Sequence, residues 1–214
     1  MTRPVIMFDH DGVLVDSLAV FTTAFTAACR GHGHPEVATQ DQVVALFDDN
    51  FYASMAALGM ERRVIRAIID DTAAALLGAM DLHPFAGVPE LLGGLAARFD
   101  VVVITSNAGG VVRDFLARER LDNLVSDVLG VEVDANKVRK IATVMARYPG
   151  QARYFYVGDT RGDMLEGAQA GATPLGAGWG WHDAAELRAA GAAYVAATPA
   201  ALLAFLVDDV SPAG

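Results

Sequence analysis

The sequence predicts an α/β protein: an open, doubly wound, mostly parallel sheet with a helical cap inserted after its first strand. Three observations carry this. Short apolar runs without clean alternation recur along the chain, as buried parallel strands do. Helical patterns separate most of them. One long interval, from Ser17 to about His83, reads as helix throughout and holds no convincing strand.

The elements follow in order. Val5–Phe8 is the first strand, and Asp9 ends it. Helical patterns then cover Leu18–Arg30, Gln40–Phe47 and roughly Glu61–Met80. Pro84-Phe85-Ala86-Gly87 reads as the hinge by which the chain returns. The expected division is therefore an α/β core of residues 1–16 and 84–214, with a helical cap of residues 17–83. A helix over Val88–Arg98 opens after Gly87 and puts Leu91, Leu92 and Leu95 on one face. Then come a strand over Val101–Thr105, a helix over Gly109–Arg120 and a weaker strand over Leu124–Val128. Helices over Asn136–Tyr148, Gly162–Ala170 and Ala184–Ala190 alternate with strands over Tyr154–Val157, Thr173–Leu175 and Ala193–Val195. The tail from Asp208 to Gly214 is expected to fray. No repeat or low-complexity segment is present.

Composition narrows the function. A chain of 214 residues suits one large domain, or one domain with an insert. The single cysteine, Cys29, allows no intrachain disulfide, and a reducing cytoplasm is the expected setting. The apolar run before Asp9 is too short for a signal peptide. The alanine-rich stretch Gly191–Val207 is broken by Thr198-Pro199 and does not read as a membrane span. A formal net charge of -10 repels nucleic acid and anionic lipid, so neither is an expected partner. The same charge repels phosphorylated compounds, so a phosphate site here needs local cations. The expected assembly is a monomer or a weak dimer.

The polar residues that follow the strands gather at one edge, where such sheets bind ligands. Asp9 and Asp11 flank His10 directly after the first strand, and Gly12 follows. Carboxylates two apart beside a glycine turn can share a cation; an Asx-type turn explains the same residues. His10 is expected to point away while its amide lines the site. Gly158-Asp159-Thr160-Arg161-Gly162-Asp163 follows another strand and opens a helix. Asp159 falls near the N-cap there and Asp163 one turn in, so both can face one way; helix capping is the alternative. Four carboxylates expected to converge are too repulsive to stay unpaired. An oxygen-only cluster suits Mg²⁺, and no residues stand at zinc spacing. Thr105-Ser106-Asn107 ends a strand before Gly109-Gly110 and can present a hydroxyl and amides to a phosphate oxygen, or simply cap the helix. Lys137, in a first helical turn, opposes the helix dipole and is better explained by a ligand; Lys140 is one turn later.

These pieces, in this order, resemble the haloacid dehalogenase-like superfamily, and within it the capped branch of phosphoglycolate phosphatases and β-phosphoglucomutases. The match to the first motif runs from Phe8 to Ser17; the second is Thr105, the third Lys137, and the fourth Gly158-Asp159 with Asp163. Pro84–Val88 is similar to that branch's return segment. The resemblance implies a Rossmann-like core and an Mg²⁺-dependent phosphatase acting on a small phosphorylated metabolite. Asp9 is then the nucleophile that forms an aspartyl-phosphate, and Asp11 the acid and base. Mg²⁺ is held by Asp9, the Asp11 carbonyl and Asp159, with Asp163 as a ligand or just behind one. Thr105, Ser106 and Lys137 neutralise phosphoryl oxygens. Two departures are Val13 for the more usual threonine, and His10 at a position more often apolar. The dehalogenases lack the second acid, so Asp11 favours phosphoryl transfer. The β-phosphoglucomutases carry a histidine early in the first cap helix, where this chain has Leu18-Ala19-Val20-Phe21. A phosphomutase and a receiver-like phosphorylation switch remain the alternatives. Specificity is expected around Phe47–Phe51 and in the Trp179-Gly180-Trp181-His182 loop, where the aromatics serve equally well as packing.

Overall fold

Four apolar side chains, all buried, make β1 (Val5–Phe8) the natural centre of a sheet. In the computed structural model, which describes residues 3–77, 82–151 and 153–210, it pairs on both sides. Alternation divides it between two core layers: Ile6 and Phe8 face one, Val5 and Met7 the other. β2 (Asp100–Ile104) divides likewise, with Val101 and Val103 on the first side and Val102 and Ile104 on the second. β3 (Asp127–Leu129), β4 (Phe155–Gly158), β5 (Thr173–Ala177) and β6 (Tyr194–Ala196) complete the sheet. The order is β3-β2-β1-β4-β5-β6, and every pair is parallel, so the expected mostly parallel sheet is wholly parallel among the described residues. Strand order reverses between β1 and β4, which is where a doubly wound sheet opens its crevice.

Between β1 and the return of the chain come α1 (Leu18–Gly31), α2 (Gln40–Ala45), α3 (Phe51–Ala57) and α4 (Arg62–Leu77). They share a separate apolar cluster in which Phe25 and Cys29 meet Val43, Met55 and Ile68. The outgoing and returning strands of chain lie side by side. Asp16 N donates to His83 O at 3.2 Å and Phe85 N to Leu14 O at 3.1 Å. Gly87 then adopts φ +87, a left-handed turn that starts α5 (Val88–Ala96).

α5 and α6 (Gly109–Arg118) cover the first face of the sheet with Leu91, Leu95, Val112 and Phe115. α7 (Lys137–Arg147) covers the second with Ile141 and Val144. α8 (Arg161–Gln169) and α9 (Ala184–Ala189) follow β4 and β5, and α10 (Pro199–Val210) returns to the first face through Leu202 and Leu206.

The structure moves several expected boundaries. β2 ends at Ile104, so Thr105 lies just beyond the strand. The weak strand expected over Leu124–Val128 begins later, because Asp122–Leu124 winds into a 3₁₀ turn. α3 and α10 were not expected. The Thr198-Pro199 break is in fact the start of α10: Thr198 Oγ1 accepts from Ala201 N at 3.2 Å, and proline is suited to a first helical position. That helix carries Asp208–Val210 of the tail expected to fray, while residues 211–214 lie outside the described residues. Residues 78–80 of the long expected helix also lie outside them.

Candidate active site

The site forms where β1 and β4 part. Asp9 is fixed by its own backbone: its N–H donates to Val157 O of β4 at 2.8 Å. The chain then turns sharply, with Leu14 N and Val15 N both donating to His10 O, at 2.9 and 3.1 Å. Gly12 makes the turn at φ +70, and no side chain fits there. A Cβ would stand 1.9 Å from Asp159 Oδ2 and 2.7 Å from Trp181 Cδ1. A glycine is thus what lets the turn after β1 press against the acid after β4.

Three carboxylates converge, not four. Asp9, Asp159 and Asp163 are buried, and ligand atoms from each lie within 4.8 Å of one another. The Asp11 side chain turns aside, where Asn107 Nδ2 donates to its Oδ2 at 2.6 Å. Asp163 is fully engaged. Lys137 Nζ and the Tyr156 hydroxyl donate to its Oδ1 at 2.7 and 2.9 Å, and Thr160 donates to its Oδ2 from both hydroxyl and amide. Those donors match the lone pairs a carboxylate offers. Thr160, not Asp159, is the N-cap of α8, and Asp163 completes its capping box. Asp9 accepts from Lys137 Nζ at 2.6 Å on Oδ2 and from His10 N at 2.8 Å on Oδ1. Asp159 Oδ2 accepts from Trp181 N at 2.8 Å, while its Oδ1 is buried with no partner among the described residues.

The electrostatics follow. Burial first, then the neighbouring acids, push Asp9 up to about 7, against the pull of Lys137. Burial and the charges of Asp163 and Asp9 push Asp159 well above the carboxylate range. Burial disfavours the charged Lys137, yet Asp163 and Asp9 outweigh it and hold the ammonium well above its ordinary value. Burial also raises Asp11, but His10, Ser17 and Lys137 together bring it below the ordinary value. Three carboxylates against one ammonium, with one oxygen orphaned among them, fit a divalent cation.

Asp9, Asp11, Ser106, Asn107, Lys137 and Asp159 line one cavity, and Asp163 lines the recess beside it. Thr105 lines neither: it is buried, and its hydroxyl accepts from Asn107 N at 3.0 Å. Lys140 is also buried and donates to Thr105 O, and burial lowers it to about 8. It props the loop from behind while Lys137 enters the site. His10 packs edge-on against Phe115 at 5.1 Å, with Nδ1 3.5 Å from Asp11 Oδ2. Trp181 lines the cavity, whereas Trp179 turns to the sheet core and donates to Val13 O at 3.0 Å. The sequence does not show Asn107 as a partner of Asp11, although it stands in the Thr105-Ser106-Asn107 loop after β2. Nor does it show Phe21, Phe25 and Tyr52 as cavity walls.

The comparisons agree with this geometry. Residues 6–177 match the model of the haloacid dehalogenase-like hydrolases. The chain is 30% identical over 207 residues to a phosphoglycolate phosphatase of Synechococcus elongatus, covering 92% of this chain and 94% of the other. It is 26% identical over 195 residues to a 5'-nucleotidase of Pseudomonas aeruginosa, covering 87% of each. A crystal structure of a predicted phosphatase from Clostridium acetobutylicum shares the fold with a TM-score of 0.84 at 19% identity, over 97% of this chain and 100% of that one. The chain belongs to the haloacid dehalogenase-like hydrolases and is an enzyme of their phosphatase type.

Proposed function

We propose that the protein hydrolyses a small phosphate monoester with Asp9 as nucleophile and Asp11 as proton shuttle. The observation that carries this is the contrast between the two acids: Asp9 faces the cluster with Lys137 on its Oδ2, while Asp11 is turned to Asn107. A carboxylate that must attack and an acid that must exchange protons need different surroundings.

Mg²⁺ is the cation we assign to the cluster, held by Asp9, Asp159 and the Asp11 carbonyl; when bound it neutralises phosphoryl charge and keeps Asp9 ionised. Asp163, with its lone pairs engaged, orients Lys137. Lys137 and Ser106 receive the phosphoryl oxygens, and Thr105 shapes their loop. Asp9 attacks phosphorus and the ester oxygen leaves with a proton from Asp11. Asp11 then takes a proton from the water that cleaves the aspartyl-phosphate, which returns Asp9 and releases phosphate. We assign residues 17–83 to a cap that closes over this step and excludes bulk water.

A hydrolysis screen over phosphorylated metabolites, with Mg²⁺ and after exhaustive EDTA treatment, tests the reading. Metal-dependent phosphate release supports it, and full activity after EDTA treatment removes the metal assignment. Calcium should not substitute, since its looser coordination misplaces an attacking carboxylate.

A further inference from the structure

The two halves of the cavity are chemically unlike. Its floor is the acid cluster with Lys137. Its roof is aromatic: Phe21, Phe25, Phe47, Phe51, Tyr52 and Trp181. Phe47 and Phe51 are stacked, with centroids 4.4 Å apart at 13°, and Trp181 meets Phe47 edge-on at 4.9 Å. Phe21 and Phe25 belong to the buried core of the helical segment, but Phe47, Phe51, Tyr52 and Trp181 are only partly buried. All four line the space shared with Asp9. Ile69 and Ala73 extend that wall, and the hydroxyl of Thr72 donates to Ile68 O at 2.7 Å.

Charge makes the contrast decisive. Among the described residues, the acids and bases lining this cavity are Asp9, Asp11, Asp159 and Lys137, all on the floor. No lysine or arginine of the helical segment lines it, and residues 78–81 contribute none to the sequence. The recess beside Lys137 adds the acids Asp49, Asp163 and Glu166, while the cavity on the other side, which shares Asp11, Ala73 and Asn107, holds Arg118 with its guanidinium already engaged by Leu82 O and Glu119. A leaving group bearing a carboxylate or a second phosphate would lie against rings and acids, with no cation lining this cavity beyond Lys137, which the phosphoryl group takes. Burying an unpaired anion is strongly unfavourable, whereas an apolar body gains by covering these rings.

We infer that the substrate is a phosphate monoester of a compact, apolar, uncharged alcohol, with an aromatic ring as the best fit to the roof. The inference rests on the phosphatase reading of the floor. It separates this chain from any relative whose substrate carries a carboxylate beside its phosphate.

Steady-state kcat/KM of the full chain with Mg²⁺ on benzyl phosphate, ethyl phosphate, 2-phosphoglycolate and phosphocholine tests it. All four release alkoxide-type oxygens, so the comparison reports the body of the leaving group more than its acidity. Benzyl phosphate should exceed ethyl phosphate by about tenfold or more, the scale of apolar pocket discrimination, and 2-phosphoglycolate should fall below both. If 2-phosphoglycolate equals or surpasses benzyl phosphate, the inference fails while the phosphatase reading stands. If phosphocholine surpasses benzyl phosphate, the rings cage a cation and the inference also fails. If no ester turns over, the phosphatase reading fails and the inference goes with it. Tyr52→Arg supplies the missing cation and should shift the benzyl phosphate to 2-phosphoglycolate ratio toward the latter by about tenfold; an unchanged ratio in a folded variant overturns the inference. Should that variant not fold, competitive inhibition of the wild type decides: benzylphosphonate must bind more tightly than phosphonoacetate, and the reverse order overturns it.

Discussion

The floor and the roof of this cavity face each other but are built by opposite means. Most floor residues sit at points the sheet fixes, and the remaining one opens a capped helix. Asp9 and Asp11 follow β1, Ser106 and Asn107 follow β2, Asp159 follows β4, and Lys137 opens α7. The roof comes from α1, α3, the loop between α2 and α3, and the loop after β5, and its shape depends chiefly on how its side chains pack. Backbone-fixed groups hold the sub-ångström geometry that chemistry needs, while packed rings tolerate exchange of similar volume. The contrast teaches where change is permitted: substitutions in the floor should alter rate, and substitutions in the roof should alter choice of substrate.

The largest expected effect breaks the floor outright. Asp9→Asn removes the nucleophile and should lower turnover by roughly 10⁴-fold or more, the scale seen when an attacking or activating group is removed. Asp11→Asn keeps the nucleophile but loses the shuttle. With an activated ester the first step survives and the intermediate persists, so intact-mass spectrometry should find an adduct of about +80 Da, one phosphoryl group, in Asp11→Asn and none in Asp9→Asn. An adduct in the Asp9→Asn protein would show that the two roles are misassigned.

Next comes the pair of lysines, which separates chemistry from support within the floor. Lys137→Ala should raise the barrier by roughly 2–4 kcal/mol, as loss of one electrostatic donor does. Lys140→Ala should act on stability instead, because it strips the partner from the buried Thr105 carbonyl, at about 1–3 kcal/mol. Paired kinetics and thermal melting distinguish the two. Equal kinetic losses would mean that Lys140 also reaches the phosphoryl group.

How much of this was legible in the sequence follows from the same contrast. β1 and the acids after it could be read because a buried parallel strand leaves a continuous apolar run and its exit leaves polar residues. Lys137 could be placed because a cation in a first helical turn conflicts with the dipole. The proposed roof was legible only in part. Phe47, Phe51 and Trp181 lie in segments singled out for specificity, but Phe21 and Phe25 read as ordinary helix and Tyr52 falls in the unexpected α3. Their convergence depends on how α1 packs against α4, which periodicity does not encode. That the Asp11 side chain turns from the cluster follows from the family resemblance, which gives the metal only its carbonyl; spacing of two along the chain puts both acids at one turn and says nothing of which one faces the cluster. α10 escaped because Pro199 looks like a break until the strand before it ends and makes it a helix start.

The metal-free floor should also betray itself through pH, at a smaller scale. Asp9 and Asp159 are raised in the folded protein, so each contributes stability while protonated and loses it when it must ionise among neighbours. For Asp9 the contribution is complete below 3.8 and is lost as pH climbs through about 7. Without divalent cation, melting temperature should fall across that window. Mg²⁺ favours the ionised cluster, so its stabilisation should grow with pH, on the order of 5 °C by pH 8 for a chain of this length. Asp159→Asn should abolish most of that increment. A Mg²⁺ effect on melting that is flat from pH 5.5 to pH 8 would argue that the cluster is not its site.

The smallest expected effect probes the contact by which the roof rests on the floor. Two hydrogen bonds and an ion pair fasten the loop after α2 to α8: Gly162 N donates to Phe47 O at 2.9 Å, Asn50 Nδ2 donates to Glu166 Oε1 at 2.9 Å, and Arg161 Nε stands 3.5 Å from Asp48 Oδ1. Asn50 also caps α3, since its Oδ1 accepts from Ala53 N at 3.2 Å, so Asn50→Ala would confuse two losses. Asn50→Asp keeps the cap, because aspartate is as good an N-cap as asparagine. It replaces the donor facing Glu166 with a second carboxylate, and Glu166 is already raised by burial. The fastening should turn repulsive while the helix stays capped. We expect a loss of about 1 kcal/mol in stability, a KM raised a few-fold and kcat changed less than twofold, since the loop shapes the roof and not the reacting groups. Adding Glu166→Gln restores a neutral donor across the gap and should recover most of the KM, a coupling that a double-mutant cycle reads directly. Additive effects of the two substitutions would show that this contact does not hold the roof in place.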